Sequence, residues 1–142
     1  MFNLDDCLAF ITSKSSKLFA DTLEHAFRPY HLTRSQWIAI YFIYNDGHMT
    51  QRELADKIGI KEPSVVRLIQ KLEYDGYLTR HGLDEDKRVK QVELTTKGEQ
   101  AYHELLPVVK QFKNKTIAGI AEEDLKTFKN VLEAMLKNTT ES

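Results

Sequence analysis

Residues 59–78, GIKEPSVVRLIQKLEYDGYL, constrain the fold more than any other part of the chain. A glycine and a proline at the start and a glycine at the end bound a single helix. Wound at about 100° per residue, Val65, Val66, Leu68, Ile69 and Leu72 gather on one side, while Pro63, Arg67, Gln70, Lys71 and Tyr74 gather opposite with Ser64 beside them. One face requires a core. The other carries cations and hydrogen-bonding groups.

The flanking segments give that helix a setting. Thr50-Gln-Arg-Glu53 has the spacing of a capping box and opens a short helix through Leu54, Ala55 and Ile58, which Gly59 closes. Two short helices joined through a glycine fit a helix-turn-helix, and such a pair also serves as a plain packing unit. After Gly76, Tyr77 to Arg80 reads as a strand and Val89 to Leu94 as another, with His81-Gly-Leu-Asp-Glu-Asp-Lys-Arg as a polar hairpin between them. Helix, helix, strand, charged hairpin and strand make a winged helix. Taken alone, the hairpin is also compatible with a solvated charged loop.

Further helices lie on both sides. Leu4, Leu8, Ile11, Leu18, Phe19, Leu23, Ala26 and Phe27 mark an amphipathic first helix that Pro29 ends or bends. Thr33 or Ser35 caps a second, Trp37-Ile-Ala-Ile-Tyr-Phe-Ile-Tyr, which is apolar on almost every side until Asn45-Asp-Gly. Thr96-Lys-Gly-Glu99 has capping-box spacing and begins a long helix through Leu105, Leu106, Val109, Phe112 and Ile117, with a bend expected at Pro107. Glu122, Glu123 and Asp124 then favour the positive start of a last helix, whose Leu125, Phe128, Val131, Leu132, Met135 and Leu136 form a stripe. That stripe exceeds what a small central domain can cover, so the terminal helices are expected to pack against a second copy. The expected fold is mainly α with a small β-hairpin wing. Residues 1–31 form an N-terminal dimerisation helix, 32–96 a winged helix-turn-helix DNA-binding domain, and 97–142 C-terminal dimerisation helices.

Composition excludes several classes. In 142 residues no apolar run is long enough to span a bilayer, and MFNLDDC lacks the order of a secretion signal, so a soluble cytoplasmic protein is expected. A net charge of −1 means that a polyanionic partner is met by placement of charge rather than by bulk charge. The one cysteine, Cys7, has no internal partner. His25, His31, His48, His81 and His103 share no i, i+3 or i, i+4 spacing, so no metal site is legible. There is no phosphate-cradling glycine run, serine elbow or carboxylate pair, so neither an enzyme nor a cofactor is expected.

From Leu32 to Gly98, and more loosely throughout, the sequence resembles the MarR family of bacterial transcription regulators, most closely its SlyA-like branch. The resemblance rests on LTRSQW, on EPSVVRLIQKLEYDGYLTR, and on DKRVKQVELTTKG, where Asp86, Arg88, Leu94, Thr95 and Gly98 match the wing pattern. It implies a homodimer that sets each recognition helix and wing on half of a pseudo-palindromic operator in double-stranded DNA. It implies a repressor released by a small aromatic or phenolic effector, or in some members by oxidation of a cysteine. Cys7 lies two residues off the sensing position, and Arg34 stands where those sensors carry tyrosine, so Cys7 reads as a small apolar side chain.

Chemistry and resemblance together select the site. Arg67 is the first choice for reading a base, because a guanidinium donates two parallel bonds to guanine in the major groove. Pro63 and Ser64 lie in the first turn, where amides and the helix dipole suit a phosphate; they serve equally as a helix start. Lys61, Gln70 and Lys71 flank this face, and Gln51 or Arg52 at the start of the preceding helix is a backbone contact. The resemblance makes Arg88 the minor-groove arginine and Asp86 the residue that orients it, with Lys87 and Lys90 on phosphates. Trp37 and Tyr41, one turn apart, are either core or the wall of an effector site to which Lys14 and Lys17 offer a cation for an aromatic acid. The alternative function is a winged-helix module that binds protein without reading DNA.

Overall fold

The computed structural model describes residues 1–82 and 90–140, with Lys90 described in its backbone only. Six α-helices and three strands run in the order α1 (Leu8–Phe27), α2 (Arg34–Asp46), β1 (Met49–Thr50), α3 (Gln51–Ile58), α4 (Glu62–Tyr74), β2 (Leu78–Gly82), β3 (Lys90–Leu94), α5 (Thr96–Ile117) and α6 (Glu122–Thr140). The chain divides into two compact units, Met1–Val109 and Lys110–Ser142.

Local chemistry sets the helix ends. A 3₁₀ turn at Leu4–Asp6 precedes α1, and a second at Arg28–Tyr30, with Pro29 near its start, ends it. Thr33 caps α2 with a full capping box: its side chain accepts the Gln36 amide, and the Gln36 side chain accepts the Thr33 amide. The Glu24 carboxylate of α1 also accepts the Arg34 amide, at 3.2 Å from each oxygen, and so ties the end of α1 to the start of α2. Thr50 caps α3 by accepting the Glu53 amide. Its hydroxyl donates to the Glu53 carboxylate at 3.1 Å, so the return bond of a capping box runs side chain to side chain.

The turn between α3 and α4 depends on Gly59. It sits in the left-handed region at φ 82°, where its amide donates to the Ala55 carbonyl and closes α3. A Cβ there would meet nothing within 4 Å, so backbone conformation rather than space demands the glycine.

The first unit has one core. Val65, Ile69 and Leu72 of α4 are fully buried with Leu54 of α3, Ile40 and Ile43 of α2, Met49, Leu78 and Val92 of the sheet, and Phe27 at the end of α1. The apolar face expected of residues 59–78 is this surface. The antiparallel sheet has the order β1-β3-β2, with Leu78 opposite Leu94, Arg80 opposite Val92 and Met49 also opposite Val92. Strand β1 was not expected, because two residues carry no readable alternation. Strand β2 starts at Leu78 rather than Tyr77 and runs two residues beyond the expected Arg80, since pairing with β3 extends it.

The expected cap of α5 is corrected by one residue. Thr95, not Thr96, accepts the Gly98 amide at 3.1 Å, and its hydroxyl also donates to the Gly76 carbonyl at 2.6 Å. The capping threonine thus joins the end of α4 to the start of α5. Pro107 lies inside α5 without ending it. In the second unit, α6 buries none of its residues, and Phe128, Val131 and Leu136 stand exposed.

Candidate nucleic-acid interface

The site is the outer side of α4 with the segments beside it. Burial of Val65, Ile69 and Leu72 forces residues half a turn away outward, so Arg67, Gln70 and Lys71 are exposed. Arg67 makes no hydrogen bond or ion pair with any described residue. All five of its guanidinium donors are available. Lys71 is more engaged: its ammonium lies 3.3 Å from Asp75 one turn on and 5.9 Å from the Tyr74 ring. Such an exposed pair holds weakly. Tyr74, at the same helical phase as Arg67 two turns along, is 86% exposed.

The first turn of α4 offers an anion less than its sequence promised. Pro63 has no amide, while the Ser64 and Val65 amides both donate to the Lys61 carbonyl, at 3.0 and 3.2 Å. The Glu62 amide remains, with an acidic side chain on the same residue. Pro63 therefore acts first as a helix start, while Ser64 keeps a half-buried hydroxyl beside the exposed Lys61.

Gln51 and Arg52 open α3, with Arg52 exposed and Gln51 half-buried. The Gln51 amide oxygen accepts from Arg80 of β2 at 3.5 Å, and the same guanidinium pairs with Glu73 of α4 at 3.0 Å. Sequence reasoning missed this junction; its signal was an arginine facing inward from the first wing strand, legible only once the strand's register was known. Asp86, Lys87 and Arg88, and the side chain of Lys90, lie outside the described residues.

The expected effector residues divide. Trp37 and Tyr41 come together, with ring centroids 5.6 Å apart. Trp37 is 5% exposed and also stacks on Tyr102 at 6.1 Å, while Tyr102 lies 3.9 Å from Tyr44. The Trp37 indole Nε1 is buried without an acceptor among the described residues. Lys14 and Lys17 are exposed on α1 and make no hydrogen bond or ion pair with these rings. Tyr44 and Tyr102, which the sequence reading did not select, complete the aromatic group, and the Tyr44 hydroxyl lies 3.2 Å from His103 Nε2.

Helix-turn-helix, three-stranded wing sheet and flanking helices define a winged helix-turn-helix protein. A family model described as the MarR family matches residues 30–89. The HTH-type transcriptional regulator YwoH of Bacillus subtilis, itself uncharacterized, is 31% identical over 125 residues, covering 88% of this chain and 90% of that one. The chain belongs to the MarR family of DNA-binding transcriptional regulators, and is accordingly not an enzyme. Two solved structures share its fold. The S. aureus MepR–DNA complex superimposes with a TM-score of 0.86 at 21% identity, covering 93% of this chain and 98% of that one. Bordetella bronchiseptica BpsR, whose DNA binding is regulated by 6-hydroxynicotinic acid, does so with a TM-score of 0.87 at 16% identity over 95% and 96%.

Proposed function

We propose that the protein is a cytoplasmic, homodimeric repressor of the SlyA-like kind that binds a pseudo-palindromic operator and leaves it when a small aromatic or phenolic acid binds. The observation that carries this reading is Arg67, exposed and unpaired among the described residues on a helix that buries Val65, Ile69 and Leu72 on its opposite face, in a family of DNA-binding regulators. A guanidinium there breaks no ion pair with a described residue when it turns toward guanine. Lys61, Ser64, Gln70, Lys71, Gln51 and Arg52 surround it as contacts to phosphate, and Lys87, Arg88 and Lys90 extend the contact from the wing with Asp86 orienting Arg88. In this reading residues 32–96 meet DNA, while 1–31 and 97–142 supply the contacts between copies. MepR, solved on DNA, shares the fold.

The effector half of the proposal is supported by the Trp37 indole, a buried donor lacking an acceptor among the rings of Tyr41, Tyr44 and Tyr102. An acceptor on an aromatic ligand would satisfy it. BpsR, of the same fold, responds to an aromatic acid. Selection of bound sequences from random duplexes, with and without millimolar salicylate-like acids, tests both halves. A palindromic consensus whose binding falls steeply with salt supports the reading. Salt-independent binding without sequence preference would leave a protein-binding module instead. Unchanged tryptophan fluorescence and operator affinity in the presence of the acids would remove the effector.

A further inference from the structure

We infer that Arg80 is a positioning residue for DNA binding, which holds the Gln51 side-chain amide so that its two N–H donors face a phosphate. The inference rests on the DNA-binding reading above. Arg80 lies on β2 and is 27% exposed in its side chain; Nη2 pairs with Glu73 Oε1 at 3.0 Å, and Nη1 donates to Gln51 Oε1 at 3.5 Å. One planar group thereby joins the wing, the C-terminal end of α4 and the first residue of α3.

The consequence for Gln51 follows from the shape of an amide. Its oxygen only accepts and its nitrogen only donates, on opposite sides of the same carbon. With the oxygen held by Arg80, the –NH₂ group is turned away from the guanidinium, at the positive end of α3. Without Arg80 the terminal torsion is broad and either end can face an anion. Glu73 meanwhile neutralises Arg80, so the groups offered to a phosphate are neutral donors rather than the cation itself. This separates positioning from direct contact. A cation on a phosphate changes the salt dependence of binding, and a neutral donor does not.

The test uses the full chain and the duplex recovered from selection. Arg80→Lys keeps charge and reach to Glu73 but loses the second arm of the fork. Arg80→Lys and Gln51→Ala are each expected to weaken every duplex about 3- to 10-fold for each subunit bound, the scale of one lost hydrogen bond, with unchanged thermal unfolding. The double variant is expected to bind no more weakly than the weaker single one. Glu73→Gln with Arg80→Gln, which leaves net charge unchanged, is expected to preserve the salt slope. The inference is overturned by losses that multiply in the double variant, by wild-type affinity in Arg80→Lys, or by a slope reduced by about 0.9 for each subunit in the paired-glutamine variant, which makes Arg80 a phosphate contact. A wild-type chain that binds no duplex overturns the functional reading itself.

Discussion

Arg67 and Tyr77 show how surroundings set what one side chain does. Arg67 is exposed on α4 with no partner among the described residues, so Arg67→Ala should flatten the ranking of duplex sequences, at a cost of about 1–3 kcal/mol against the preferred one. Lys87→Ala should weaken all duplexes alike and lower the salt slope by about 0.9 for each subunit of the bound dimer. Titration of selected and scrambled duplexes checks both, and equal losses of selectivity would refute the division of roles. Tyr77 is held protonated above its ordinary value of 10 by burial first, then by the charges of Asp75 and Glu104. The folded state therefore binds that proton more tightly than the unfolded chain does. The stability involved is intact below pH 10 and is lost as pH rises through the raised value. Thermal unfolding across that range should decline less steeply in Tyr77→Phe. The outward placement of Arg67 was legible in the sequence, because helical phase alone separates it from Ile69. The surroundings of Tyr77 were not, because although Asp75 is two residues away in the chain, burial and Glu104 come only with the tertiary fold.

Elements began and ended largely where short-range chemistry placed them. Thr33, Thr50 and Gly59 act within four residues of their own position, so they were readable in the chain. The cap of α5 was misplaced by one residue because two threonines adjoin, and the choice between them depends on the Gly76 carbonyl, 19 residues from Thr95. Gly98 explains why a glycine follows. A Cβ there would lie 2.2 Å from the Tyr77 carbonyl oxygen and 3.1 Å from Leu94, so the start of α5 approaches the wing strand as only glycine permits. Gly98→Ala is expected to destabilise the fold by about 1–3 kcal/mol through forced displacement of backbone. Chemical denaturation measures it, and a loss below about 0.5 kcal/mol would mean that the junction yields. Strand β1 and the Arg80 junction escaped the sequence for one reason: each exists only through a partner distant along the chain.

On the scale of the whole molecule, the exposed apolar residues of α1 and α6 pose the remaining physical question. Leu8, Leu18 and Phe19, and separately Phe128, Val131 and Leu136, leave large side chains in water in a single chain. A second copy would cover them. Sedimentation should give twice the mass of one chain, and Phe128→Glu should shift it to one chain and abolish operator binding. A wild-type chain sedimenting alone would sink the dimer. Readable from the chain alone were the order of the helices and the two wing strands, the inward and outward faces of α4, and the family, because periodicity, caps and motif spacing act within a few residues. Which polar groups meet was settled by the folded molecule: Arg80 with Gln51 and Glu73, Thr95 with Gly76, and the Trp37 indole with no acceptor among the described residues. Those pairings depend on the register of strands and the docking of helices, and residues far apart in the chain become neighbours only after the core has closed.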